Sequence, residues 1–280
     1  MNYFERAKYF RTKKRLGQNF LIDGEVIADI IDFANISPED TVLEIGPGVG
    51  FVTEQLVKHA KKVIAVELDE EAIKELQKLN APNLKIIHQD ILKTDLSTLC
   101  EGQIKVVANI PYYITSPIIA HLLGEVDDLD NKNRAKITDI ILMVQEEVAN
   151  RMCANESSQG KQYGLLTILS QFWADVEILR TVGRKCFYPA PKVTSALVRL
   201  VVRRTPLLDL SDYSHFRKTV RAGFAQRRKN IKNCLLNGGF LKDAVLKSLS
   251  ELGIDENTRG EKLSIEMFGR LSELLKKYSQ

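Results

Sequence analysis

The run Thr41-Val42-Leu43-Glu44-Ile45 leads straight into Gly46-Pro47-Gly48-Val49-Gly50, and a second apolar run, Lys62 to Val66, follows a helical stretch from about Val52 to His59. Strands this rich in Val, Leu and Ile suit a sheet covered on both faces, the situation of parallel strands joined by helices. The alternation continues. Leu84 to Ile87, Ile104 to Ala108 and Ile137 to Val144 read as three further strands. Asp69 caps a helix running to about Leu79, and Gln145 to Met152 reads as another helix. The pattern predicts an α/β fold with a Rossmann-like, doubly wound, mostly parallel sheet, which holds its ligands beyond the carboxyl ends of its strands. Val176 to Val182 and Ala196 to Val202 lack a long helix between them and predict an antiparallel pair. From Leu210 onward only helical periodicity remains, broken at Gly238-Gly239, Gly253 and Gly260. We therefore expect an α/β domain over 1–204, with a basic segment at 1–20, and a small helical domain over 205–280.

Composition sets few limits, but the distribution of charge is informative. The net charge is +4. Arg6, Lys8, Arg11, Lys13, Lys14 and Arg15 face a single nearby acid, Glu5, while Arg217, Lys218, Arg221, Arg227, Arg228, Lys229 and Lys232 fall in a stretch with no acid at all. Such clusters suit a polyanion, although a charge run is also a common solvated face. The four cysteines are dispersed and form no CxxC, so neither a zinc site nor a disulfide framework is expected, and a reducing cytoplasm fits. No apolar run approaches the ~20 residues that span a bilayer, and the basic N-terminus lacks the apolar core of a secretory signal.

The glycine turn after the first strand lets a ligand approach the backbone closely. A dinucleotide turn needs G-x-G-x-x-G, and here the third glycine falls one position early. Glu67 ends the second strand, where its carboxylate can accept from ribose hydroxyls; this serves NAD and S-adenosylmethionine alike. Asp90, just after the third strand, is placed to accept from an adenine amine. Taken together, the three strand-end features favour a methyl donor over NAD.

The fourth strand runs into Asn109-Ile110-Pro111-Tyr112. Asn and Pro both favour turns. In this context they also supply two acceptors, the Asn109 side-chain oxygen and a carbonyl of the Ile110–Pro111 segment, beside a flat ring. That set suits a planar base with an exocyclic amine.

These residues, with Leu16-Gly17-Gln18-Asn19-Phe20-Leu21, Phe187-Tyr188-Pro189-Ala190-Pro191-Lys192-Val193-Thr194-Ser195 and Gln226-Arg227-Arg228-Lys229, give a chain that resembles the ribosomal RNA adenine N6,N6-dimethyltransferases of the small-subunit (16S) branch along nearly its whole length. The resemblance implies S-adenosyl-L-methionine as cofactor, held by Asn19, Leu21, Gly46, Glu67, Asp90 and Asn109, with Gln18 and Gly48 in the same motifs. It implies that Asn109, Pro111, Tyr112 and Phe187 hold the target adenine, Tyr112 and Phe187 by stacking. Asn109 and the Ile110–Pro111 carbonyl then orient the adenine N6 toward the methyl group, and no metal is required. The family often has Asn at the place of Tyr113 and Ser-Thr-Pro at the place of Thr115-Ser116-Pro117, departures that bear on fine-tuning of the substrate.

The expected reaction is dimethylation of two adjacent adenosines in a hairpin loop near the 3′ end of small-subunit rRNA, with a role in subunit maturation. Arg221, Arg227, Arg228, Lys229 and Lys232 are expected to contact RNA, with Arg221, Arg228 and Lys232 on one helical face and Phe216, Val220 and Phe224 as a core stripe. The N-terminal basic segment gets the same reading, disordered without substrate. The expected partner is small-subunit rRNA or the immature subunit, met by a cytoplasmic monomer with no membrane contact. Dimethylation of large-subunit rRNA and an assembly factor with dispensable catalysis are the alternatives.

Overall fold

The structure is a computed structural model that describes residues 2–13, 16–111, 114–160 and 162–279. Among these, β1 (Phe20–Leu21) stands apart from the main sheet. The main sheet contains β2 (Thr41–Ile45), β3 (Lys62–Glu67), β4 (Leu84–His88), β5 (Ile104–Asn109), β6 (Ile137–Gln145) and β7 (Ala174–Val182); β8 (Phe187–Tyr188) pairs with β1, and β9 (Ser195–Val202) returns to the main sheet. The order is β4-β3-β2-β5-β6-β9-β7. All pairings from β4 across to β6 are parallel, and β9 runs antiparallel to β6. The two late strands are thus sheet neighbours, but the chain between them leaves the sheet to form β8.

Register explains why motifs far apart in sequence meet. Ile45 pairs with Val66 on one side and Ala108 on the other, and Val66 pairs with Ile87. The next residues along these strands, Gly46, Glu67 and Asn109, therefore emerge together at the carboxyl edge. Strand order reverses between β2 and β5, which is where a doubly wound sheet opens a crevice.

The chain forms two compact units. The first comprises Met1–Leu123, Asn131–Ala149 and Asp175–Val202; the second comprises Gly124–Asp130, Asn150–Ala174 and Arg203–Gln280. In the first unit a helix over Tyr3–Tyr9 packs Tyr3 against Phe51, with ring centroids 4.8 Å apart, and pairs Arg6 with Glu54 at 2.5 Å. This corrects the expectation of an N-terminal segment disordered without RNA. Arg6 and Lys13 are engaged by Glu54 and Asp69, while Lys14 and Arg15 lie outside the described residues.

In the second unit, helices Tyr213–Phe224, Ile231–Asn237, Lys242–Glu251 and Ile265–Lys277 bury an apolar core. Phe216 and Val220 are buried, and the Phe224 ring lies 5.2 Å from that of Phe268, as an apolar stripe at helical spacing requires. Asp212, Asn230 and Ser264 cap three of these helices through side-chain oxygens. No helix of the described residues is long and apolar enough to cross a membrane.

Candidate active site

The carboxyl ends of β2, β3 and β5 and the segment Leu16–Leu21 surround one cavity in the first unit. The glycine turn forms its floor. Gly46 and Gly48 have φ of 65° and 58°, in the left-handed region that L side chains avoid. A Cβ at Gly48 would also lie 2.7 Å from Phe20 Cε1, so a larger residue there collides with the strap above the turn.

The three glycine amides of this turn are engaged within the protein. Gly46 N–H donates to the Val66 carbonyl at 3.0 Å, Gly48 N–H to Glu67 Oε2 at 2.9 Å and Gly50 N–H to the Pro47 carbonyl at 3.1 Å. A pyrophosphate needs such amides free to face it. The cavity wall instead carries three acidic side chains, Glu44, Glu67 and Asp90, and no Lys or Arg among the described lining residues. Its chemistry suits a ligand with positive charge and hydroxyl or amino donors, and opposes a polyanion.

Glu67 is 7 % exposed and its Oε1 also accepts from the amides of Leu68, at 2.7 Å, and Asp69, at 2.8 Å. Burial pushes its pKa up against these three donors. A carboxylate offers about four lone-pair positions, so about one remains for a ligand hydroxyl. Asp90 Oδ1 caps the turn Ile91–Lys93 by accepting from Leu92 N–H at 3.0 Å, and the residue lines the cavity.

Asn109 ends β5 at the cavity edge. Its Nδ2 donates to the Asn19 carbonyl at 3.3 Å. A carbonyl can only accept, so this bond sets which way the amide faces and turns Oδ1 away as an acceptor. Among the described residues nothing donates to that oxygen. Ile110 and Pro111 line the same cavity, and Pro111 has no amide hydrogen.

A family model described as ribosomal RNA adenine dimethylase matches residues 9–277. A protein named ribosomal RNA small subunit methyltransferase A from Geobacillus sp. (strain WCH70) is 42% identical over 278 aligned positions, covering 95% of this chain and 92% of the relative. A protein of the same name from Bacillus mycoides (strain KBAB4) is 44% identical with the same coverage. The chain belongs to the ribosomal RNA adenine dimethylase family. Among solved structures, a dimethyladenosine transferase from Plasmodium falciparum superposes with a TM-score of 0.72 at 29% identity, over 89% of this chain and 94% of that one. The 23S rRNA methyltransferase ErmE superposes with a TM-score of 0.69 at 29% identity, over 92% of this chain and all of the other.

Within this adenine dimethylase, Asn19, Leu21, Gly46, Gly48, Glu67, Asp90 and Asn109 all line the one cavity. Gln18 also lines it, but both ends of its amide are engaged: Oε1 accepts from Lys13 N–H at 2.7 Å and Nε2 donates to Asp69 Oδ2 at 2.7 Å. Tyr112 and Tyr113 lie outside the described residues. Phe187 is 3 % exposed, belongs to the apolar core and is absent from the cavity wall; it pairs with Leu21 in the β1–β8 ribbon.

The basic residues expected to meet RNA divide into two kinds. Arg221 Nη2 lies 3.0 Å from Glu125, and Lys232 pairs with Glu256. Arg227, Arg228 and Lys229 are exposed, and no carboxylate is paired with Arg228 or Lys229 among the described residues. The single helical face expected for Arg221, Arg228 and Lys232 is corrected. The helix ends at Phe224, Lys229 N–H closes a turn onto the Gln226 carbonyl at 2.9 Å, and Asn230 starts the next helix. Asn230 works as a cap because its side chain accepts from the Asn233 amide, competing with a continuous helix.

Two polar residues escaped the sequence reading of the site. Glu44, read only as part of the glycine motif, is 3 % exposed and lines the cavity, with Thr53 Oγ1 donating to its Oε2 at 2.6 Å. Burial pushes its pKa up to about 8, with the charge of Glu67 adding to the shift. The available signal was an acid inside a central apolar strand. Asp69, read as a helix cap, also gathers Lys13 and Gln18.

Proposed function

We propose that this protein dimethylates N6 of two adjacent adenosines in a hairpin loop near the 3′ end of small-subunit rRNA, with S-adenosyl-L-methionine as methyl donor, during maturation of the small subunit. The observation that carries the reading is Asn109, whose amide is held so that its oxygen, unengaged among the described residues, is an acceptor on the rim of an acid-lined cavity. S-adenosyl-L-methionine fits that cavity by charge, and when bound it supplies an electrophilic methyl group.

The chain's own part is positioning. Glu67 and Asp90 accept from the cofactor's hydroxyl and amino groups, and Asn19, Leu21, Gly46 and Gly48 shape the space around it. An adenine amine is a poor nucleophile because its lone pair is shared with the ring. Accepting its N–H bonds at Asn109 Oδ1 and at a carbonyl of Ile110–Pro111 orients that nitrogen and favours the positive charge that develops there. Tyr112 keeps the stacking role assigned on sequence grounds. Phe187 becomes the second wall once base entry turns its ring out of the core.

The α/β unit is the catalytic part, and the helical unit meets RNA through the turn Arg227-Arg228-Lys229, with Arg221 and Lys232 as secondary contacts. The partner is small-subunit rRNA or the immature subunit, and the enzyme works as a cytoplasmic monomer. Relatives at 42% and 44% identity carry the small-subunit name, whereas the 23S methyltransferase is 29% identical, which supports the small-subunit branch. Offering labelled cofactor to purified, undermethylated small and large subunits and mapping dimethyladenosine tests the reading. Label confined to large-subunit RNA would move the protein to the other branch.

A further inference from the structure

Asp69 lies one residue beyond the strand-end pair Glu67-Leu68, with its side chain wholly buried. Three donors converge on it. Oδ1 accepts from Glu71 N–H at 3.0 Å and from Lys13 Nζ at 2.6 Å, and Oδ2 accepts from Gln18 Nε2 at 2.7 Å. The first bond caps a helix. The other two reach back across more than fifty residues to the segment that walls the cavity. Gln18 closes the loop by accepting from Lys13 N–H at 2.7 Å.

Beyond this knot the segment meets three more parts of the site. The Asn19 carbonyl takes the Asn109 amide hydrogen, the Phe20 ring rests on Gly48, and Phe20–Leu21 pair with Phe187–Tyr188. The carbonyl that orients Asn109 is thus one peptide away from a glutamine held at both ends.

We infer that Asp69, Lys13 and Gln18 are positioning residues, a polar clasp that fixes the Leu16–Leu21 strap over the cavity and thereby holds the Asn19 carbonyl where it aims Asn109. The inference rests on the proposed methyl-transfer reading for its consequence, but the clasp itself is a property of the free protein. Burial works against ionisation of Asp69, yet the bonds from Lys13, Gln18 and Glu71 hold its pKa below the ordinary aspartate value, as a clasp with a permanent charge requires. The carboxylate is needed as a double acceptor. An asparagine in its place still caps the helix, but it points an NH2 at the Gln18 NH2.

That polarity suggests the test. Asp69→Asn and Gln18→Leu each break the clasp, whereas Asp69→Asn combined with Gln18→Glu restores it with donor and acceptor exchanged. In that double variant the carboxylate introduced by Gln18→Glu accepts from both Lys13 N–H and the new amide. In the cofactor-free full chain, hydrogen exchange at Leu21 and Ile22 should speed up by about tenfold or more in each single variant, since one buried hydrogen bond is worth roughly a factor of ten. The strands β2 and β5 serve as internal controls. S-adenosyl-L-methionine affinity by calorimetry and kcat should each fall by about tenfold in the single variants, and the double variant should return to within about threefold of the parent in exchange, affinity and kcat. Single variants with unchanged exchange at Leu21 and Ile22, or a double variant no closer to the parent than the singles, would overturn the clasp. Failure of the parent to bind S-adenosyl-L-methionine would instead refute the cofactor reading, with the exchange data still deciding the clasp.

Discussion

The cavity of the first unit and the basic turn of the second solve opposite electrostatic problems. In the cavity the acidic groups are buried and engaged by backbone amides and hydroxyls, as at Glu67 and at Glu44, which keeps its proton up to about pH 8. At Arg227-Arg228-Lys229 the charges are basic, exposed and carried on a turn without regular structure. The buried set is poorly screened by salt and can hold one small cationic ligand in a defined pose. The exposed set is screened and can follow a flexible polyanion. Neighbouring basic residues do not all belong to the second kind. Arg221 and Arg217 are held by Glu125, and Lys232 by Glu256, so counting cations along the chain overstates the charge this stretch can offer a polyanion.

The largest effect should come from the cavity rim. Asn109→Ala is expected to lower kcat about 10²- to 10³-fold, the scale of losing a preorganised polar group, while RNA affinity stays within about twofold. Comparable losses in turnover and RNA binding would break the division of labour. Next comes the turn. Replacing Arg227, Arg228 and Lys229 together by Ala should lower the salt slope of RNA binding by about 2–3 and leave cofactor affinity unchanged. Arg221→Ala and Lys232→Ala should each change RNA affinity by less than about threefold, because their carboxylate partners already hold them.

Smaller effects sharpen the picture of the cavity. Gly48→Ala puts a Cβ against the Phe20 ring at a left-handed backbone position, and should cost about 1–3 kcal/mol in urea unfolding along with weaker cofactor binding. Glu44 has a pKa of about 8 when folded against an ordinary 4.5. Between these values the native state retains a proton that the unfolded chain has released. Stability must therefore decline as pH rises through that window, by up to about 1.4 kcal/mol per pH unit. Glu44→Gln should flatten this decline in melting curves recorded from pH 5 to pH 9.

How much of this was legible depended on whether a signal was periodic. The strands from Thr41 to Val144 declared themselves through dense apolar runs, and the structure places them within about a residue or two of expectation. The convergence of Gly46, Glu67 and Asn109 followed from strand ends in a parallel sheet. The strap was not legible as a partner of Phe187–Tyr188, because two-residue strands have no periodicity and their pairing spans most of the chain. The Asp69 clasp was hidden behind an adequate local explanation, helix capping. Phe187 carries no mark in the sequence of which way its ring faces, since an aromatic before a proline-rich turn serves core and site equally. The basic run looked helical until the capping preference of Asn230 competed with it.

The contrast between the two regions can be measured on one protein. Dissociation constants for S-adenosyl-L-methionine and for a small-subunit rRNA hairpin fragment should be determined between about 50 and 200 mM salt. Cofactor affinity should change by less than about twofold, while RNA affinity should fall about 20- to 40-fold, as three neutralised phosphates require. A cofactor affinity that falls in step with the RNA, or an RNA affinity indifferent to salt, would contradict this contrast.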